Sequence, residues 1–586
     1  MRHYLLLLVG VALLVSVGCL KAAGVEIGPA ENELKALSAK VPAFRPVALP
    51  ATGTLTLTPA QSLTIEQLRG VKLDDNPPVL GERPYKPDPR MVDAYPPGEA
   101  PYVAKDIAPF RFKYFNLEFN YGGWHNHFMR EYASAHGFNI LTAYVHKPGD
   151  WTHVPAGTKW LKWGGFVDWH KWPQKHGLEA DRWDQVKDFD VKGKLLEEKV
   201  FAREPGFDYL MIDLEHGLLG LEKLREQAWY PKDAPEAQRQ AFEKKYYDGY
   251  AQTYLAPLAA ARAEGWNNLS LYGWQPFGRR WFGLEKATAD RATDFAWNAF
   301  GRQIYESVDL LNPTVYCFYW SPQNVAYTLA NIDLNRQMIT GLKPEKPMRP
   351  YFWTLLHGGG GGDRWWAEQP LPVEEARAMM TLALFTGIDG LDQWNWSGTG
   401  NHHLPRPLKA GAWVMVGKAF TARPQGAGEE VPPTAFARYD MLKVKSVTEG
   451  QVEFLKLDKA KPAAIQAADQ PVYSLKTEEL TALLRASSEP VAGVVEGLAL
   501  AKPFEYLLRH GEVKVDVSAQ EQYAKTLPVV RRVKLGKLHL LATYDPSAVH
   551  GGQPRSIELK DFEGRAGCTV VLPADEQTRL FVLREE

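Results

Sequence analysis

Asp213 and Glu215 close the apolar run F-D-Y-L-M-I-D-L-E-H-G with a single leucine between them. Residues two apart on an extended strand project to the same side, so both carboxyls face one side, roughly 7 Å apart before rotamers bring them closer. Like charges at that range cannot both ionise cheaply, and one pKa is expected to rise. One carboxyl then holds a proton at neutral pH while the other keeps a fixed negative charge. Acid-base cleavage of a glycosidic bond needs that division of labour. The plainer alternative is a strand end that satisfies loop amides, but two buried carboxylates with no visible basic partner are costly. Glu118, beside Asn116 and Asn120, is the strongest rival carboxylate, and Asp392 is the next.

A set of strands must hold these groups. From Phe110 onward, apolar strand-like runs alternate with amphipathic helical stretches, which argues parallel strands in βα units. The runs fall at 113–119, 138–145, 164–169, 209–215, 269–274, 310–317, 351–356 and 390–396, with helices expected at 238–264, 289–307 and 373–385. Eight such runs in that span predict a (β/α)8 TIM barrel, whose reactive groups sit at the C-terminal strand ends. Asp213 and Glu215 end the fourth run, Tyr272, Trp274 and Gln275 the fifth, and Tyr316 and Tyr319 the sixth. His357 follows the seventh, and Asp392 and Trp394 end the eighth.

The stretch 147–183 is crowded with Trp, His and Gly, and long loops on a barrel top are usually functional. Five glycines, Gly358 to Gly362, follow His357 without the Lys-Ser/Thr of a nucleotide loop, so a subsite wall or lid fits better than a phosphate cradle. His125 and His127 could pair on a metal. Separate histidine donors to sugar hydroxyls explain the same residues, the metal-hydrolase helix motif is absent, and no metal or cofactor is expected.

Around these runs the chain divides into a signal peptide at 1–24, a proline-rich extended segment at 25–107, the barrel at 108–424 and an accessory region at 425–586. The accessory region consists of short β-branched runs between turns, which predicts an antiparallel β-sandwich that braces the barrel. The first 23 residues pair Arg2 and His3 with an apolar run too short to span a membrane, so an exported protein is expected, periplasmic, outer-membrane or extracellular. Two cleavage sites compete: a lipoprotein box ending in Cys19, which would then carry the lipid anchor, and a cut after Gly24. Lys and Arg number 68 against 69 Asp and Glu, which gives no argument for a nucleic-acid partner. Cys317 and Cys568 read as buried thiols.

The motifs D-L-E, L-Y-G-W, P-T-V-Y and D-Q-W-N-W, over the barrel only, resemble the hyaluronidases and, more distantly, the family-18 chitinases. That resemblance implies a substrate-assisted, retaining hydrolase of a polymer of 2-acetamido sugars. It implies Glu215 as general acid and base, Asp213 orienting the acetamido group, Tyr272 and Tyr316 bonding the sugar, and Trp394 flooring the subsite. Two features depart from it: Met211 stands where the chitinase lead-in has an acidic residue, and the paired disulfides of animal hyaluronidases have no counterpart.

The leading expectation is thus an exported glycoside hydrolase on a polysaccharide, with Trp274, Gln275, Tyr319, His357, Asp392, Glu118 and His125 as further substrate contacts. Arg279, Arg280 and Arg364 near the mouth point to an anionic glycan. A glycosidase on a sulfated or neutral glycan such as a fucan, pairing Glu215 with Glu118 or Asp392, is the second reading. A barrel that binds sugar without cleaving it is the third.

Overall fold

The structure is a computed structural model that describes residues 26–81, 102–120, 127–143, 153–165, 171–179, 181–215, 219–274, 276, 300–318, 321–357, 369–394, 408–457, 470–485, 489–525, 528–546, 556–560, 566–573 and 577–585. Seven parallel strands form a curled sheet. They are β1 (Asn116–Asn120), β2 (Ile140–Ala143), β3 (Lys159–Gly165), β4 (Tyr209–Asp213), β5 (Leu269–Leu271), β6 (Tyr351–Trp353) and β7 (Gly390–Trp394). Their spatial order is β6-β7-β1-β2-β3-β4-β5.

Between the two edges lies 310–317, the sixth run expected from sequence. It bridges in parallel to β5 through Tyr272 and Asn312, and to the β6 side through Leu311 with Met348 and Thr314 with Tyr351. The amides of Leu311, Arg349, Tyr351 and Val315 bond alternately across that second seam. Pro313 has no N–H to give, which explains why this stave is irregular rather than a full strand. The sheet with this stave makes a TIM-like domain.

The third strand corrects the expected 164–169: it spans Lys159–Gly165, and Gly164 and Gly165 end it rather than begin it. A β-carbon on Gly164 would stand 3.0 Å from Leu210 Cδ1, so the glycine permits close approach to β4. Gly390 does the same at the start of β7, where a β-carbon would lie 1.7 Å from the Asn116 carbonyl oxygen.

Helices cover the outside: α1 (Glu236–Ala263), α2 (Asn324–Ile339), α3 (Val373–Ala383) and α4 (Glu489–Ala501). Helix α1 follows Pro235, with Glu236 in its first turn and Arg262 in its last, both favourable to the helix dipole. Its inner face is a stripe of buried tyrosines, Tyr246, Tyr247, Tyr250 and Tyr254, at helical spacing. Helix α4, drawn from the far C-terminal region, packs against α3, so the main hydrophobic cluster runs across residue 425.

The C-terminal half carries antiparallel sheets. Trp413–Met415, Met441–Thr448, Gln451–Lys456 and Val472–Lys476 form one with its own core of Val414, Leu442, Val444, Val452, Phe454 and Tyr473. A five-stranded sheet sends alternate residues two ways. Leu540, Ala542 and Val582 join the main core, while Leu541, Phe581 and Leu583 meet Ile557 and Val570 of a three-stranded sheet. The segment read as merely extended contributes to both sheets: Val47–Leu49 pairs with Arg579–Glu585, and Gly53–Thr56 pairs with Ala566–Val571. It also forms a helix, Gly28–Lys40. Among the described residues no helix is long and apolar enough to cross a membrane.

Candidate active site at the barrel mouth

Strand alternation decides what lines the barrel. On β1, Leu117 and Phe119 face the helices, leaving Asn116, Glu118 and Asn120 inward. Glu118 meets Thr142 of β2 and Tyr351 of β6 at once, and strands that far apart converge only inside the ring. Register sets the tiers: Tyr351, Asp392 and Glu118 lie side by side, with Trp353, Trp394 and Asn120 one pleat nearer the mouth.

The lower tier is a sealed charge cluster. Glu118 and Asp392 are wholly buried, and the Arg349 guanidinium sits 3.5 Å from Glu118 Oε2 and 3.3 Å from Asp392 Oδ1. Glu118 Oε1 accepts from the Thr142 hydroxyl and, at 2.8 Å, from the Tyr351 hydroxyl; Asp392 Oδ2 accepts from the Asn312 amide. Arg349 also lies 4.9 Å over the Tyr209 ring. Burial pushes both carboxyls up against the pull of Arg349, and Asp392 goes well above its ordinary range. With a proton on Asp392, the cluster of one cation and two acids is neutral, which is how buried ionisable groups are tolerated.

The upper tier opens to solvent. Asp213 ends β4 partly buried, and Glu215 stands exposed two residues on. Burial and then the neighbouring Glu215 charge push the Asp213 carboxyl from 3.8 up to about 7, while a hydrogen bond with the Trp163 side chain pulls the other way. Asp213 Oδ1 is buried with no hydrogen-bond partner among the described residues. Helix α1 braces the loop: the Tyr254 hydroxyl donates to the Leu214 carbonyl, between the two acids, at 3.3 Å, and the Tyr247 hydroxyl to the Leu219 carbonyl at 3.1 Å.

Aromatic rings floor this mouth. Trp163 lies 4.9 Å from Tyr272 and 5.1 Å from Trp394, and Tyr272 lies 5.4 Å from Trp394. The Tyr272 and Tyr316 hydroxyls are 2.6 Å apart. Tyr316 in turn stacks on His357 at 5.6 Å, with Trp353 5.3 Å from that imidazole. Flat apolar rings edged by phenols and carboxyls match the face and hydroxyl rim of a pyranose.

Of the residues picked from sequence, Asp213, Glu215, Tyr272, Tyr316, Trp394 and His357 thus gather at the C-terminal strand ends. Trp274 lies beyond β5, partly buried against the main core. Glu118 and Asp392 sit beneath the floor, bound to Arg349 rather than open to a ligand. His125, Gln275 and Tyr319 lie outside the described residues, as do Cys19, Arg279, Arg280 and Arg364. Among the described residues no group of three or more His, Cys, Asp or Glu is placed to hold a metal ion.

Sequence reading missed Trp163, Trp353, Tyr351 and Arg349. Trp163 was lost with the misplaced third strand. Tyr351 and Trp353 stood inside the expected seventh run at alternate positions, a period-two signal that could have flagged them.

No family model matches the chain, and no curated protein does. Solved structures similar to it include bee venom hyaluronidase in complex with a hyaluronic acid tetramer, at 16% identity and TM-score 0.32, covering 49% of this chain and 92% of that one. Alpha-L-fucosidase isoenzyme 2 from Paenibacillus thiaminolyticus is similar at 9% identity and TM-score 0.34, over 81% of this chain and 100% of that one. Active domain 2 of a thermostable chitinase from Pyrococcus furiosus follows at 16% identity and TM-score 0.21, over 49% and 85%. All three are glycoside hydrolases, but TM-scores this low do not define a shared fold, so the chemistry has to be read from the mouth itself.

Proposed function

We propose that this chain is an exported glycoside hydrolase that cleaves a polysaccharide at the barrel mouth, with Glu215 as general acid and base and Asp213 as its assisting carboxyl. One observation carries the reading: Asp213 is held up to about 7 by burial and by Glu215, at a strand end, on a floor of Trp163, Tyr272 and Trp394. Near neutral pH the pair then holds one proton between two carboxyls, the state a glycosidase starts from.

In the first step the proton that the pair shares passes from Asp213 to Glu215 and on to the glycosidic oxygen as the bond to the anomeric carbon breaks, which leaves Asp213 ionised. On a 2-acetamido sugar the substrate's own amide oxygen closes onto that carbon, and Asp213 stabilises the resulting oxazolinium cation while holding the amide N–H. Water then adds to the anomeric carbon, Glu215 takes its proton, and configuration is retained. Glu118 and Asp392 are tied beneath the floor by Arg349, Thr142, Tyr351 and Asn312, which favours Asp213 over either as partner to Glu215. In this reading the three- and five-stranded sheets, packed over one cluster, are a sandwich that braces the barrel.

The test is reducing-end release from hyaluronan, chondroitin, chitin and a sulfated fucan. Release from acetamido polymers alone supports the assisted mechanism. Release only from the fucan keeps a hydrolase but discards acetamido participation, and no release from any of them, with sugar still bound, supports a binding barrel instead.

A further inference from the structure

Trp163 is part of the ring floor, and it also reaches the working carboxyl, a second role that the proposed chemistry does not use. Strand β3 runs parallel to β4 with Gly165 opposite Asp213 and Trp163 opposite Met211, so Trp163 projects inward one pleat below the acid. Trp163 is 9% exposed, and its ring is fixed from three sides, by Tyr272, Trp394 and, at 6.4 Å, Tyr351. Tyr351 is itself pinned, since its hydroxyl donates to Glu118 in the sealed cluster. A rigid chain of contacts therefore runs from Arg349 through Glu118 and Tyr351 to Trp163, and ends on the Asp213 carboxyl.

We propose that Trp163 is the positioning residue for Asp213: its indole N–H holds the carboxyl in one orientation, and the ring packing below prevents that N–H from turning away. Its partner is the ionised form of Asp213, the one that matters once a cation develops, because an N–H donor stabilises the carboxylate and not the carboxylic acid. Burial and the Glu215 charge favour the protonated form of Asp213, and the Trp163 bond opposes them. The indole thus keeps the acid able to ionise when a cation develops above the floor. The other titratable groups on the inward face, among the described residues, are Tyr209 below Asp213 on β4, Tyr272 beyond β5, Tyr351 on β6, the Glu118, Asp392 and Arg349 cluster, and at the far end of β3 Lys159, whose ammonium donates to Asn116.

This inference rests on the reading of Asp213 as a working carboxyl, but its test is independent of activity. Thermal melting is followed from pH 4 to pH 9 for four chains: wild type, Asp213→Asn, Trp163→Phe, and the double variant. Within each background, the midpoint at which the slope of the Asp213→Asn effect against pH falls to half its maximum reports the folded-state titration of Asp213. Loss of one hydrogen bond to the carboxylate should move that midpoint up by about one pH unit in the Trp163→Phe background. Trp163→Met, which fills space but also lacks the donor, should shift it the same way and decides the matter if the phenylalanine variant does not fold. A midpoint unchanged in the donor-free background overturns the proposal even if the chain proves to be a glycosidase. A shifted midpoint upholds it even if no polysaccharide is cleaved. Where activity is found, the acidic limb of the kcat profile should move up in parallel, which a merely structural tryptophan would not cause.

Discussion

Replacing Asp213 with Asn should make the protein more stable above neutral pH and leave it nearly unchanged in acid. A carboxyl whose folded pKa is raised from 3.8 to about 7 contributes stability that is fully present below 3.8 and lost as pH climbs through about 7. At about 1.4 kcal/mol per pH unit, the full gap is worth about 4 kcal/mol. Asp213 is partly exposed at the mouth, and solvent screening brings the expected gain to about 2 kcal/mol. Asparagine keeps an acceptor for Trp163 and nearly the same volume, so the variant removes the titration and little else. Melting the pair side by side cancels every other titrating group. Among those is Glu33, which burial also raises to about 7 while it accepts from the Tyr506 amide. The difference in Tm should be near zero at about pH 4, grow between about pH 5 and pH 7, and level off by about pH 8. In a Glu215→Gln background the rise should level off at lower pH and reach a smaller size, because the like charge that helps raise Asp213 is gone. A Tm difference that stays flat across the whole range, or that falls with pH, would refute the electrostatic description of the mouth.

Other perturbations test the parts around it. Arg349→Met strands Glu118 and Asp392 without their cation and should cost about 3–5 kcal/mol, read as a large drop in Tm; a loss under about 1 kcal/mol contradicts the cluster. Tyr254→Phe removes the bond to Leu214, worth about 1 kcal/mol, and should lower kcat severalfold with little change in far-ultraviolet circular dichroism. Gly390→Ala drives a β-carbon into the Asn116 carbonyl and should destabilise by about 3 kcal/mol or prevent folding, whereas Gly28→Ala, with open space around it and no left-handed backbone, should be far milder.

The curled parallel sheet of the TIM-like domain was legible because its strands carry strong local signals: apolar runs ending in polar or aromatic residues, separated by helical stretches. The closeness of the two acids was legible from the single leucine between them, and the Glu215 charge does act on Asp213, although the strand ends at Asp213 and Glu215 lies beyond it. What stayed hidden depends on distance along the chain. Val47–Leu49 is a strand only because Arg579–Glu585 lies beside it, and three residues have no periodicity to announce that. Arg349 precedes β6, in a proline-flanked segment with no pattern of its own, and only the closed ring brings it to Glu118 and Asp392. In the run K-W-L-K-W-G-G the lysines and glycines mask a barrel strand, and Trp163 was lost with it. The eventual place of α4 against α3 was unreadable because a whole antiparallel sheet intervenes between them.

The most direct test of the central claim compares wild type, Glu215→Gln and Asp213→Asn on the polysaccharide that wild type cleaves best, with folding of all three checked by melting. General acid-base catalysis is worth about 10²- to 10⁴-fold, so both variants should lose at least a hundredfold in kcat while still binding the polymer. Activity in Glu215→Gln within a few fold of wild type would contradict the account and move the chemistry away from this pair.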